Sequence, residues 1–444
     1  MTDHSDADFY TDRALIDDPH AYFDHLRGKG PVTLLPHRGV IAVTGYDQAV
    51  AVSLDTEHFS SVNAVTGPVS PLPFTPEGDD ITAQVALSRA KMTFADQIVA
   101  QDGERHAALR SILATLFTPG RLKALEAKLV ETADHLIDEF VADGRVDLVS
   151  QYGGPYATLV IADLLGVPAA DRGRFRELLK DVIPAEIGTS PEAMAKGPIV
   201  DIGKHIFGYI ARRRLAQTPV GKIGAALGAL LGQQPASAGE DILGELAMAR
   251  FPDGSKPSLI DVTALGAFLF GAGQDTTNRL LANAFRIIAE RPDIQARLRA
   301  EPHRIPDFIE EVLRFEGSVK AGARLCIKTT TLGGREIKAG TTVMLSYMGA
   351  NRDAARFADP GVFDIDRPKL KQHLAFGRGA HTCIGAPLAR SEVRVSIERL
   401  LDRLGNIRLA VAQHGPEGSR RFIYEPTYIL RALNSLHLEF TPIR

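Results

Sequence analysis

The stretch Phe376-Gly377-Arg378-Gly379-Ala380-His381-Thr382-Cys383-Ile384-Gly385 decides how the chain is read. Cys383 is one of 2 cysteines in 444 residues. The glycines around it let the backbone turn sharply and approach something flat and bulky. Pro387 follows, a residue tolerated in a first helical turn, and then an apolar-periodic run through Leu388, Ala389, Val393 and Ile397. This spacing predicts a loop-to-helix junction at Cys383, where free N–H groups and the helix dipole favour a thiolate.

For a lone cysteine, a buried structural thiol in a glycine-rich turn is the plainer reading. Phe, three Gly, His and Cys at these fixed offsets, however, arise by chance in roughly one of a hundred thousand chains of this composition. Zinc competes poorly, because two cysteines with no Cys-x-x-Cys and no paired histidines do not make a tetrahedral site. A thiolate ringed by backbone donors suits the axial position of haem iron. On these residues the stretch resembles the haem-binding loop of the cytochrome P450 family, the haem-thiolate monooxygenases. The resemblance implies Cys383 as proximal iron ligand, His381 as a hydrogen-bond partner of a haem propionate and Phe376 as a further cofactor contact. It also implies haem b (iron protoporphyrin IX) as cofactor and O2 as co-substrate.

Composition agrees with a globular enzyme. Apolar residues make up 45% and charged residues 24%, and the net charge of −3 argues against nucleic acid or an anionic membrane as partner. No run of about 20 apolar residues is present to span a bilayer, and the acidic start lacks a signal peptide's basic and apolar regions. Two cysteines far apart suggest a reducing compartment. The expectation is a cytoplasmic monomer. Within the resembled family this points to the bacterial type, with no room for a fused reductase, so electrons are expected from a separate ferredoxin or flavodoxin with its reductase.

Taken in order, the chain predicts a helix over Asp17–Arg27, short strands Val32–Leu35 and Val40–Val43, and a helix Tyr46–Leu54. The Ser, Pro, Gly and Thr content of Ser60–Asp80 predicts an irregular loop, placed where the family has a variable segment over the substrate pocket. His106 and Arg110, four apart, share a face of the next helix and suit an anion. By themselves they read as a solvated pair; the resemblance assigns them to a haem propionate. Gly103 departs from the family's usual proline, which predicts a looser start to that helix. Amphipathic helices follow at Leu122–Ala142, Tyr156–Leu165, Asp171–Val182 and Val200–Gln217, then a small-residue helix Gly221–Leu231 and a polar linker Gly232–Glu240.

Ser258–Glu290 is almost continuously helical and largely apolar, the pattern of a helix through the middle of a core. Its centre reads Phe270-Gly271-Ala272-Gly273-Gln274-Asp275-Thr276-Thr277. Each interior glycine costs roughly 1 kcal/mol against alanine, so either close helix crossing or a functional groove is implied. A hydroxyl at Thr276 can replace a backbone hydrogen bond and widen the turn. The resemblance makes this the oxygen-activating segment, with Asp275 and Thr276 as the acid–alcohol pair that relays protons.

Glu311 and Arg314, three apart on the helix Asp307–Phe315, match the family's structural ion pair. Strands are predicted at Arg324–Thr330, Glu336-Ile337 and Thr341–Leu345, with a Gly333-Gly334 turn and further strand-like alternation over Tyr428–Phe440. Arg324 corresponds to the family's second propionate-binding arginine; Cys326 and His373 read as structural. Alternation places Val319, Ala321 and Ala323 on one face and Lys320 on the other, toward solvent or, as the second choice, a substrate anion. These small residues, with Gly271, Ala272 and Ile429, and with Phe94 and Phe268 against its faces, predict room for a rigid bulky hydrophobe such as a terpenoid, steroid or polycyclic aromatic. Arg378 and Arg390 are read either as a docking surface for an acidic carrier or as solvated.

The expected fold is therefore mainly α with a smaller β region, the cytochrome P450 fold. The whole chain, 1–444, is expected as a single domain, its β-rich part near 30–60 and 319–346 plus the C-terminal strands, with haem between the long helix and the Cys383 helix. The expected reaction is hydroxylation, insertion of one oxygen atom from O2 into a C–H bond. A peroxygenase that uses H2O2 and a non-enzymatic haem gas sensor are the rivals. The first typically lacks the acid–alcohol pair, and the second needs no proton relay.

Overall fold

The computed structural model describes residues 4–179, 186–187, 190, 198–219 and 241–443. The helix expected over 221–231, the linker over 232–240 and the 180–182 end of another helix fall outside them.

One helix, Leu259–Glu290, runs for 32 residues, about 48 Å. A capping box starts it: the Ser258 hydroxyl accepts from the Asp261 N–H, and the Asp261 carboxylate accepts from the Ser258 N–H. Its first half contributes Leu265, Leu269 and Phe270 to one apolar core, and its second half contributes Leu280, Phe285 and Ile288 to another. The same helix thus ties both cores together. Gly273 serves close crossing: a Cβ there would lie 3.1 Å from Ile161 of the helix Gly154–Leu165. The turn at Thr276 stays helical, with its hydroxyl donating to the Ala272 carbonyl at 2.9 Å.

The helices Gly154–Leu165, Pro198–Ala216, Ile305–Glu316 and Ala386–Arg403 pack against it, and Pro119–Asp138 packs on Gly154–Leu165 and Ala386–Arg403. A five-stranded sheet lies to one side, ordered 32–34, 41–43, 342–346, 321–326, 59–60. Only Ile41–Val43 against Thr342–Ser346 is parallel; Ala323 stands opposite Met344 in the antiparallel pair beside it. The Gly333-Gly334 turn closes a two-stranded hairpin with both φ angles positive (57° and 79°), the arrangement of a type I′ turn.

Boundaries moved where tertiary contacts override pattern. The strand expected at Arg324–Thr330 is Ala321–Cys326, because Met344 and its neighbours pair with the earlier residues. Of Tyr428–Phe440, only His437 onward forms a strand, His437–Pro442; residues 424–433 are a looser hairpin joined by isolated bridges such as Tyr424 with Leu433. Gly103 begins its helix at φ +55°, which a proline ring cannot adopt.

The helix Ile305–Glu316 carries a buried ion-pair cluster. Arg314 Nη2 donates to Glu311 Oε1 at 2.6 Å, both side chains fully buried, and its other N–H groups reach the Asn351, Pro360 and Val362 carbonyls. Arg367 reaches the same Glu311 oxygen at 3.3 Å. Every donor of this buried cation faces an acceptor, which holds the loop 351–367 against the helix.

Candidate active site

Where the long helix faces Ala386–Arg403, a cavity of about 980 Å³, open mouth included, lies between them. The loop 376–385 forms one wall through Phe376, His381, Cys383 and Gly385. Two glycines shape that loop. Gly377 and Gly379 have φ of +66° and +72°, and a Cβ on Gly379 would meet the Ser53 carbonyl oxygen at 2.5 Å. The Cys383 N–H returns to the Phe376 carbonyl at 2.9 Å, closing the loop on itself. Burial pushes the Cys383 thiol up; the Gly385 and Ala386 N–H groups and the charges of Arg110 and Arg390 pull against it and do not prevail. A cation bound at the sulfur would favour the thiolate.

The rim carries the basic side chains. His106 and Arg110 line the cavity from one helix, and the His106 and His381 rings lie 4.0 Å apart. Burial, with the charges of His381 and Arg110 next, pushes His106 down to about 4, so it is neutral at pH 7. Ser61 Oγ meets His381 Nε2 at 2.9 Å, with Asp102 beyond at 3.9 Å. Arg110 donates to the Thr382 carbonyl. Arg324 is not on the cavity wall; it is buried, donates to the Ala323 carbonyl at 2.8 Å, and is close enough for its charge to act on His106.

Across from the cysteine loop, the long helix contributes Phe268, Leu269, Ala272, Gly273, Thr276 and Thr277. Asp275 points elsewhere. Its carboxylate takes two hydrogen bonds from Arg279, at 2.6 and 2.9 Å, one turn further along.

Sequence reading missed Glu392. It sits nine residues beyond Cys383, on the helix Ala386–Arg403 that follows the loop, lines the cavity, and accepts from Thr277 Oγ1 at 2.9 Å. Burial pushes its carboxyl up to about 8, which leaves it protonated at pH 7. A glutamate in line with Leu388 on a helix expected to face the core was the available signal.

The substrate-wall expectation needs correction. Phe94 is not on the cavity wall; it sits in a turn at φ +62°. Gly271 and Val319 do not line it either, and the helix contributes Ala272 and Gly273 instead. Ala323 and Ile429 border a separate small recess together with Phe9, Tyr10, Gly67 and Tyr428. The small residues at 321–323 thus make room for aromatic rings and for Gly67, whose Cβ position is 3.7 Å from Ala323. Ala323→Phe is accordingly expected to cost about 1–3 kcal/mol of folding stability by overpacking, with ligand binding in the main cavity unchanged. Denaturant unfolding beside ligand titration checks both.

Lys320 also departs from its expectation. It is 2% exposed, and its Nζ donates to the Thr427 carbonyl at 2.6 Å. Both alternation faces of this segment are buried, Lys320 and Arg324 on one and Ala321 and Ala323 on the other. Arg390 is paired with Glu310 (2.9 Å from Nη2) and lies over the Phe376 ring, and His373 meets the same glutamate at 3.1 Å.

The donor set suits a metal that arrives with its own ligands. Among the described residues no group of three or more His, Cys, Asp or Glu could hold an ion. One sulfur faces an apolar cavity whose edge offers a guanidinium and imidazoles to carboxylates. Helical fold, long helix and cysteine loop together define the haem-thiolate class of protein. Residues 241–405 match the family model described as Cytochrome P450. The cytochrome P450 monooxygenase PikC of Streptomyces venezuelae is 31% identical over 434 residues, 95% of this chain and 91% of PikC. The substrate-free structure of CYP150A6 from Mycobacterium marinum matches with a TM-score of 0.88 and 45% identity over 100% of both chains. Cyclomarin C epoxidase CymV of Salinispora arenicola is 30% identical over 71% of this chain and 75% of its own. The chain belongs to the cytochrome P450 family and is a haem-dependent, O2-using oxidoreductase. No described helix is long and apolar enough to cross a membrane.

Proposed function

We propose that this protein, as one domain over 1–444, inserts an oxygen atom from O2 into a C–H bond of a bulky hydrophobic small molecule. Haem b is bound through Cys383, and a separate ferredoxin or flavodoxin with its reductase supplies electrons. The observation that carries this reading is the placement of the Cys383 thiol and the Thr276 segment on facing walls of one apolar cavity. Haem, when bound, supplies oxygen activation, and a cysteine ligand pushes electron density that favours O–O cleavage.

The chain's own residues do the rest. Arg110, with His106, His381 and the nearby Arg324, offers the charge and donors that two propionates need. Ile98, Phe117, Phe268 and Leu269 keep the cavity apolar and exclude water, which supports a hydrophobic substrate. Ala272 presents only a methyl group to the cavity beside Thr276, which supports a bulky one. Thr276 holds an ordered hydroxyl at that opening, and Asp275 is the adjacent acid that resupplies its proton. Direct use of peroxide needs no such pair.

Thr276→Ala is expected to retain substrate binding and to divert reducing equivalents into hydrogen peroxide, since proton delivery suffers more than oxygen binding. A screen of hydrophobic compounds, scored by Soret shift, supplies the substrate; product and peroxide per NADH are then compared. Unchanged coupling would remove Thr276 from the reaction.

A further inference from the structure

Arg279 is buried at 4% side-chain exposure, and it serves two carboxylates from different elements. Asp275, one helical turn earlier, holds it through two hydrogen bonds. Glu425, from the hairpin 424–433, reaches the same Nη2 nitrogen at 2.8 Å. Its backbone is fixed: the Glu425 N–H donates to the Ala432 carbonyl at 2.8 Å. One segment links hairpin and helix again, since Ser318 Oγ donates to the Thr276 carbonyl at 2.9 Å and the Ser318 carbonyl accepts from the Arg431 N–H.

This arrangement answers a difficulty in the relay proposed above, on which the inference rests. Asp275 lies on Arg279, whereas the cavity is lined by Thr276 and Thr277. To serve Thr276, the Asp275 carboxylate must leave the guanidinium. A buried cation stripped of its only carboxylate is strongly disfavoured. Here the cation is never stripped. Two ionised carboxylates crowding one guanidinium also repel each other, and the departure of Asp275 relieves that repulsion. Burial, with Asp275's charge opposing Arg279's, keeps the Glu425 carboxyl above the ordinary range. The neighbouring cations Lys320 and Arg431 do not compete with Arg279 for Asp275 or Glu425. Arg431 is held by Glu316 at 3.2 Å, and Lys320 by the Thr427 carbonyl.

We propose that Glu425 is a positioning residue of the proton relay: it is the reserve partner of Arg279 and frees Asp275 to turn toward the cavity. Two measurements test this on holoprotein. In thermal unfolding, Asp275→Asn and Glu425→Gln should each lower the midpoint slightly, and the double variant by clearly more than their sum, because only then is Arg279 unpartnered. In NADH-driven oxygen consumption without substrate, at saturating plant-type ferredoxin and its reductase, Glu425→Gln should slow the rate about tenfold. It should also enlarge the solvent deuterium isotope effect, and Glu425→Asp should restore part of both. Additive midpoint shifts, or an isotope effect unchanged in Glu425→Gln, overturn the proposal. If Asp275→Asn leaves rate and isotope effect unaltered, the relay itself is wrong. A response in Asp275→Asn with none in Glu425→Gln rejects the role of Glu425 alone.

Discussion

Cys383→Ser is expected to abolish the thiolate-type Soret band of the ferrous–CO complex completely. Serine is nearly isosteric, and the loop that holds position 383 is closed by backbone bonds the substitution leaves in place, such as the Cys383 N–H to the Phe376 carbonyl. Its hydroxyl, however, stays protonated where a thiol ionises against a metal cation, so the anionic sulfur donor is lost. The N–H groups of Gly385 and Ala386 and the charges of Arg110 and Arg390 already favour the thiolate, yet burial outweighs them. Coordination must therefore displace a proton from Cys383, and haem loading of apoprotein is expected to release it into a weakly buffered solution, where a pH indicator reads it. Cys326 cannot take over. It lies fully buried in the strand Ala321–Cys326, its sulfur 3.1 Å from the Lys328 carbonyl, and burial pushes its thiol up to about 11. A thiolate-type band persisting in the variant would show that the ligand had been misassigned.

The elements that were legible in the sequence are those whose chemistry is local. The helix Tyr46–Leu54, the Gly333-Gly334 turn and the long helix each follow from a run of residues whose spacing or φ requirement admits little else. The cysteine loop is legible for the same reason. What stayed hidden depends on partners distant in sequence. Glu425 is 150 residues from Asp275, and nothing in either neighbourhood announces that both meet one arginine. The 319–323 segment misled because period-2 alternation assumes one wet face, whereas this strand is covered on both. Small side chains there signal close packing by Phe9, Tyr10 and Tyr428 as readily as they signal an open pocket.

Replacing Lys320 with methionine is expected to stabilise the protein at neutral pH and to flatten its pH dependence on the alkaline side. Lys320 is buried with no carboxylate bonded to it among the described residues. Its Nζ donates to the Thr427 carbonyl at 2.6 Å and lies 6.0 Å from the Phe9 ring centre, while Arg431 and Arg279 repel its charge. Burial first, and those two arginines next, lower its pKa from 10.5 to about 7. The folded value lies below the unfolded one. Between about pH 7 and 10.5 the unfolded chain therefore binds a proton that the folded chain does not, and stability rises with pH through that window. Below about 7 both states are protonated and the full cost is present. A displacement of about 3.5 pKa units corresponds to about 5 kcal/mol, offset in the variant by about 1 kcal/mol for the Thr427 carbonyl that loses its donor. The expected gain at pH 7 is thus on the order of 3–4 kcal/mol, vanishing near pH 10.5. Glu392 acts with the opposite sign: its carboxyl, raised to about 8, makes stability fall as pH climbs from 4.5 to about 8. That contribution is common to parent and variant, so the difference between their urea-unfolding free energies isolates Lys320. A difference independent of pH from 6 to 10 would mean that Lys320 keeps its charge in the folded protein, and that the Thr427 carbonyl and the Phe9 ring suffice to hold it.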